Sequence, residues 1–421
     1  MTFWQRLKPL RVRLLVLLAV VGPGIITANA DNDAGGIATY SVAGAHYGYS
    51  LLWLILPMAL TLITVQEMSA RMGVVTGKGL AGLIRESMGV RATVIILGIF
   101  VFANLANTVS EFAGVAASME IFGVSKYISV PLAAAGVWLF IVKGNYKLVE
   151  RVFLVASALY MTYIVSTIMA RPPWLTVVYA LFTPQFRFET GYMILAITVI
   201  GTTIAPWMQF YQQSAIADKG LKVADYAYEW MDVVFGSVFS MFVTAFIIIC
   251  CAATLFANGV HIETAKDAAL ALLPLAGPYA SILFALGLLN ASIFTAAVLP
   301  LSTTYVMCEA FGWESGINHR LKEAPAFFGF YTAFIVLGAG IILLPLRSLV
   351  QVMMVSQTLN GVLLPVILVV MLRLINDRRL MGNFANGRVF NALAWSIVVV
   401  LIALTAVLLT TTLFPSFLSS G

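Results

Sequence analysis

Charge is scarce in this chain. Lysine, arginine, aspartate and glutamate make up only 10% of its 421 residues, while 61% are hydrophobic. That composition excludes a soluble domain and points to a polytopic membrane protein. Cysteine is rarer still: Cys250, Cys251 and Cys308 lie inside apolar runs with no CxxC or ligand spacing. They support neither a disulfide framework nor a zinc site and read as small packing residues. The three histidines, His46, His261 and His319, fall in expected loops, so no membrane-embedded imidazole is expected. No GxSxG, HExxH or paired-aspartate motif on facing helices occurs, which argues against an intramembrane enzyme. The net charge of +6 does not indicate a nucleic-acid partner, because its distribution follows the membrane.

Apolar runs of spanning length fall at roughly 14–45 (broken), 50–72, 92–118, 127–143, 150–171, 191–217 (broken), 231–257, 277–308, 326–345, 346–373 and 389–414. The expectation is therefore an all-α polytopic membrane protein with 11 transmembrane helices in one domain, 1–421. With the N-terminus inside, 19 of the 24 Lys and Arg residues fall in cytoplasmic segments, a strong positive-inside signal. The N-terminus is thus expected in the cytoplasm and the C-terminus outside, in the plasma membrane, with the first span uncleaved. Residues 218–232, with Tyr226, Tyr228 and Trp230, read as an amphipathic helix lying on the inner membrane face. The loops are too short for a receptor or scaffold. A monomer in contact with lipid is expected.

The first span is interrupted by Asp31-Asn32-Asp33-Ala34-Gly35-Gly36. A charged residue at that depth costs at least ~2.5–3.5 kcal/mol and usually faces a protein interior or a water-filled pathway. Non-helical backbone there is tolerated only where protein buries it or it lines a cavity. The hexapeptide reads as an ion or substrate site. Five spans later, Gly201-Thr202-Thr203-Ile204-Ala205-Pro206-Trp207 interrupts the sixth span with a mid-helix proline. Because five is odd, a second five-span block inserts with inverted topology. Paired interruptions at matching places in inverted halves point to a transporter's midplane site. The pattern resembles a LeuT-type 5+5 inverted repeat with broken helices 1 and 6. Repeat one covers about 14–171 and repeat two about 191–373, with an added helix 11 at about 389–414. Carbonyls freed by the breaks, half-helix C-terminal ends and Asp33 make a cation the natural ligand.

Several stretches together resemble the Nramp family of divalent-metal transporters: Gly22-Pro23-Gly24-Ile25, Asp33-Ala34-Gly35-Gly36, Ala43-Gly44-Ala45-His46-Tyr47-Gly48-Tyr49, Thr76-Gly77-Lys78, Gly201 to Pro206 and Asn376 to Gly382. The resemblance runs from about residue 20 to 414. It implies metal ligation by Asp33, by Gln357 and by the backbone carbonyls of Ala30 and Thr202. It also exposes substitutions. The family's Asp-Pro-Gly-Asn motif reads Asp33-Ala34-Gly35-Gly36 here, so Gly36 replaces an asparagine ligand. Its Met-Pro-His motif reads Ala205-Pro206-Trp207, which removes a thioether and an imidazole. An Asp and Glu three apart in the proton route become Thr108 and Glu111. Asp31, Asn32, Thr203 and Tyr211 remain as outer-shell or pathway candidates.

A thioether favours transition metals over hard cations. Its loss at Ala205, with the volume opened by Gly36, suits a partly hydrated Mg²⁺, which dehydrates reluctantly. The pattern resembles the branch of Nramp-related magnesium transporters. The expectation is transport of Mg²⁺, with Mn²⁺ as a further substrate, by alternating access without proton coupling. No cofactor is expected beyond the ion carried. A proton-coupled Mn²⁺/Fe²⁺ importer and, further off, a cation channel stand as alternatives.

Overall fold

The computed structural model describes residues 32–143, 161–187, 189–317, 319–346 and 348–413. Secondary structure among them is entirely helical. The main elements are α1 (Ala34–Tyr47), α2 (Ile55–Thr76), α3 (Leu80–Ile121), α4 (Lys126–Lys143), α5 (Met161–Ala170), α6 (Trp174–Phe182), α7 (Thr190–Thr203), α8 (Pro206–Asp218), α9 (Tyr226–Thr254), α10 (Ala280–Phe311), α11 (Pro325–Ile342), α12 (Leu349–Asn376) and α13 (Arg388–Leu413).

Nine stretches among the described residues are long and apolar enough to cross a membrane, α7 and α8 together forming one of them. A bilayer core needs about 20 apolar helical residues. The two remaining expected spans are each seen in part, as α1 and α5; their other halves lie outside the described residues. The bundle is all-α and membrane-spanning, as its composition requires.

Local sequence explains the departures from unbroken helix. In α3, Gly89 takes φ 77° and ψ 171°, a conformation open to glycine because it has no Cβ. It separates an amphipathic start, with Leu80 and Leu83 buried and Arg85 and Glu86 exposed, from the span proper. The amphipathic helix expected at 218–232 is not formed. Instead α8 ends at Asp218, a turn passes Gly220 and a single 3-10 turn, and α9 begins at Tyr226 and runs straight into the membrane span. The reason is that these polar groups have protein partners. The Tyr226 hydroxyl donates to Glu67, which also pairs with Arg71 at 3.0 Å, and Arg71 in turn reaches the Phe384 carbonyl. Two further short helices, Trp174–Phe182 and Ala265–Ala269, occupy what the sequence pattern left as loops.

α1 packs against α9, α12, α7 and α3, and α7 against α12. The last contact needs small residues: a Cβ on Gly201 would run into the backbone of Gln357 and Gly361. Close backbone approach at glycines is how helices associate where lipid removes any hydrophobic drive between them. The three cysteines are buried and free, as expected of packing residues.

Candidate functional site at two helix starts

α1 begins abruptly at Ala34. Asp33 is its N-cap, with extended backbone, and its Oδ1 accepts the Gly36 amide at 2.5 Å. An aspartate suits this position because a helix start leaves amide donors unpaired and carries partial positive charge. Asp33 and Asn32 are both buried. Ala30 and Asp31 lie outside the described residues.

The second interruption falls at Ile204 and Ala205, between the last turn of α7 and Pro206 at the start of α8. Its cause is chemical. In an unbroken helix the Thr202 carbonyl would accept from the amide of residue 206, and proline has none. The α7 C-terminal end also concentrates partial negative charge at this point. Ala205 cannot supply a carbonyl as readily, since its oxygen already accepts from the Met208 amide at 3.1 Å.

Two side chains from other helices reach Asp33. Glu111 of α3 is fully buried; its Oε2 accepts the Ala34 amide at 3.3 Å and its carboxyl meets that of Asp33. Gln357 of α12 fills the space where a Cβ on Gly35 would stand, and its amide lies beside the Asp33 carboxyl without a complete hydrogen bond. The structure thus brings Asp33, Glu111 and Gln357 together. Thr202 is next to Gly201, which packs on the Gln357 backbone.

Other expected residues have different occupations. Thr203 donates to the Val199 carbonyl and bonds the Tyr40 hydroxyl at 2.9 Å, pinning α7 to α1. Thr108 donates to Asn104 in its own helix and packs against Gly338 of α11. Trp207 is buried, its carbonyl accepts from Ser302, and its ring lies 6.3 Å from that of Tyr211. Gly36 contributes its amide to the Asp33 cap. No imidazole joins the site: His46 and His261 pair edge to face with centroids 5.0 Å apart, and His319 lies 3.8 Å from Glu323. His46, expected in a loop, occupies the last turn of α1. Among the described residues no three His, Cys, Asp or Glu side chains converge as a metal cluster. Among the described residues the carboxyls brought together here are those of Asp33 and Glu111.

Sequence reasoning missed the amides. Asn107 of α3 and Asn360 of α12 bond each other reciprocally, and Asn360 also donates to Gln357. Asn104 pins α3 to α10 through Thr303 and the Leu299 carbonyl. The recurrence of Asn104, Asn107 and Glu111 on one helical face was the available signal.

Residues 24–411 match the profile of the family described as natural resistance-associated macrophage protein-like, Nramp. The chain belongs to the Nramp family. Relatives named divalent metal cation transporter MntH include one from Bacillus subtilis (strain 168), 27% identical over 413 residues and covering 94% of this chain and 93% of its own length. Another, from Ralstonia nicotianae, is 29% identical over 412 residues, with 91% and 89% covered. The crystal structure of an Eremococcus coleocola manganese transporter in complex with an aromatic bis-isothiourea substituted compound superposes with a TM-score of 0.79 at 23% identity, over 96% of this chain and 89% of that one. MhsT in complex with L-phenylalanine gives 0.63 at 13% identity, over 92% and 98%. These last two show the fold. As an Nramp chain, this is a multi-pass membrane protein in which alanine and tryptophan stand where the resemblance expects a thioether and an imidazole.

Proposed function

We propose that this chain carries divalent metal cations across the cell membrane by alternating access, with the ion as cargo and no resident cofactor. The observation that carries the reading is the meeting of Asp33, at the start of α1, with Gln357, whose backbone packs on α7 beside its break. In this reading Asp33 supplies charge, Gln357 an amide oxygen, and the Thr202 carbonyl, which Pro206 leaves without its helical donor, a backbone ligand. The Ala30 carbonyl, outside the described residues, is the proposed counterpart from the first break. The lysine and arginine distribution supports a cytoplasmic N-terminus and an outer C-terminus, and we propose that a single copy suffices.

Two finer readings differ in ion and coupling. The all-oxygen donor set, with Ala205 where a thioether is expected, supports Mg²⁺ moving down its gradient. The inside-negative potential alone favours inward movement by ~2.3 kcal/mol per charge per 100 mV. The likeness to the Eremococcus coleocola manganese transporter supports manganese instead, and the facing carboxyls of Asp33 and Glu111 supply a proton-sharing pair suited to coupling. The comparisons thus give this second reading the broader support. Proteoliposome uptake with an internal pH dye separates the two. Mg²⁺-driven flux without acidification is the first reading's result; acidification that tracks Mn²⁺ uptake and disappears in Glu111→Gln is the second's.

Selectivity follows from the same chemistry. Ala205→Met adds a soft ligand, and the ratio of Mn²⁺ to Mg²⁺ uptake is expected to rise about tenfold. An unchanged ratio in paired uptake assays contradicts a role for position 205 in ion choice.

A further inference from the structure

Three stacked amides link the ion site to α3. Asn360 Nδ2 donates to Gln357 Oε1 at 2.8 Å and to Asn107 Oδ1 at 2.9 Å, and Asn107 Nδ2 donates back to Asn360 Oδ1 at 3.0 Å. All three residues are 1% exposed. Gln357 Nε2 completes no hydrogen bond and lies against Gly35, beside the Asp33 carboxyl.

A carboxamide has nearly the same shape when its oxygen and nitrogen exchange places, but opposite hydrogen-bonding character at each end. If all three amides turn by half a rotation, every contact survives with its direction reversed. Asn360 Oδ1 then accepts from both Gln357 Nε2 and Asn107 Nδ2, while Asn360 Nδ2 donates to Asn107 Oδ1. Both states satisfy the same set of hydrogen bonds. What changes is the atom that Gln357 turns toward Asp33: an N–H donor in one state, a carbonyl oxygen in the other.

That difference is what an ion site needs. A bare carboxylate is best served by an N–H donor, whereas a divalent cation beside it takes an oxygen and has no use for an amide NH₂. We propose that Gln357, Asn360 and Asn107 form a concerted amide switch, resting on the metal-transport reading above. Without the ion, Gln357 offers its NH₂ to Asp33. With the ion bound, the three amides turn together, and the Gln357 oxygen becomes a ligand while its nitrogen is held by Asn360. Asn360 and Asn107 are positioning residues: they touch no ion but let the ligand change character while the hydrogen bonds among the three amides are kept. Asn104 lies outside the switch, since its amide is committed to Thr303 and Leu299.

The test is a double-mutant cycle read by Mn²⁺ binding calorimetry on the full chain in detergent. Asn360→Leu keeps the shape but holds Gln357 in neither orientation, and is expected to weaken Mn²⁺ binding about tenfold. In a Gln357→Ala background the same substitution is expected to change affinity by less than about twofold. Equal weakening in both backgrounds means a purely structural role and overturns the switch. A Mn²⁺-bound structure of the unaltered protein gives an answer that does not depend on a variant folding. Gln357 ligating the ion while still within hydrogen-bond reach of Asn360 supports the switch; Gln357 withdrawn from Asn360 to reach the ion overturns it. Asp33→Ala in the same titration separates two failures. Unimpaired binding there removes the transport site itself, whereas lost binding there with an additive cycle removes only the switch.

Discussion

Alanine at position 33 is expected to reduce divalent-cation uptake to the level of protein-free liposomes. Asp33 has two roles, and substitutions separate them. As N-cap of α1 it holds the Gly36 amide, an interaction worth about 1 kcal/mol that alanine loses and asparagine largely keeps. As a buried carboxylate it is the proposed charged ligand of the ion, and removing one member of a buried charge pair costs about 3–5 kcal/mol. The expected order therefore differs between assays. In uptake, Asp33→Asn and Asp33→Ala both fall by about a hundredfold or more. In thermal unfolding, Asp33→Asn stays near wild type and only Asp33→Ala drops. Glu111 does not compensate, because one of its oxygens already accepts the Ala34 amide. Uptake by Asp33→Asn at the wild-type rate contradicts the assigned charge role.

Gly35→Ala is the second substitution with a large expected effect. The added methyl would stand where the Gln357 amide now lies, so the glutamine must leave and the chain of amides through Asn360 to Asn107 must part from it. Overpacking of this kind costs about 1–3 kcal/mol in stability, and losing the ligand weakens ion binding about tenfold or more. A compensating change tests the cause. In a Gln357→Ala background the obstructing side chain is gone, so Gly35→Ala is expected to cost little further stability. Thermal unfolding of the two singles and the double reads this directly. A double mutant as unstable as the sum of its parts shows that Gly35 is needed for something other than room for Gln357.

The features legible in the sequence were those that contradict a membrane locally. A carboxylate with two glycines, or a proline beside threonines, stands out in an apolar run because lipid penalises each. Asp33 and the Ala205-Pro206 break were therefore found, and with them the pairing of the first and sixth spans. The apolar runs located the spans because hydrocarbon thickness fixes their length. Three things were not legible. The Asn107–Asn360 pair joins residues 253 positions apart, and each asparagine alone looks like an ordinary polar residue in a helix. The stretch 218–232 misled for a related reason: its aromatic and acidic residues suit a membrane surface, but Tyr226 finds Glu67 on α2 instead. Amphipathic periodicity gives the direction of a polar face without saying whether water, headgroups or another helix meets it. Glu111 likewise read as the remaining half of a proton-route pair, and its place against Asp33 and the Ala34 amide needed the fold.

We propose above that a divalent cation binds where the start of α1 meets Gln357 and the break after α7. Anomalous diffraction from crystals of the full chain soaked in Mn²⁺ tests it most directly. One strong peak is expected within ligand distance of Asp33 and Gln357, bordered by the Thr202 carbonyl, and it is expected to be lost in Asp33→Ala crystals. A Mn²⁺ peak elsewhere in the bundle, or one beside Asp33 that persists in Asp33→Ala, would contradict it.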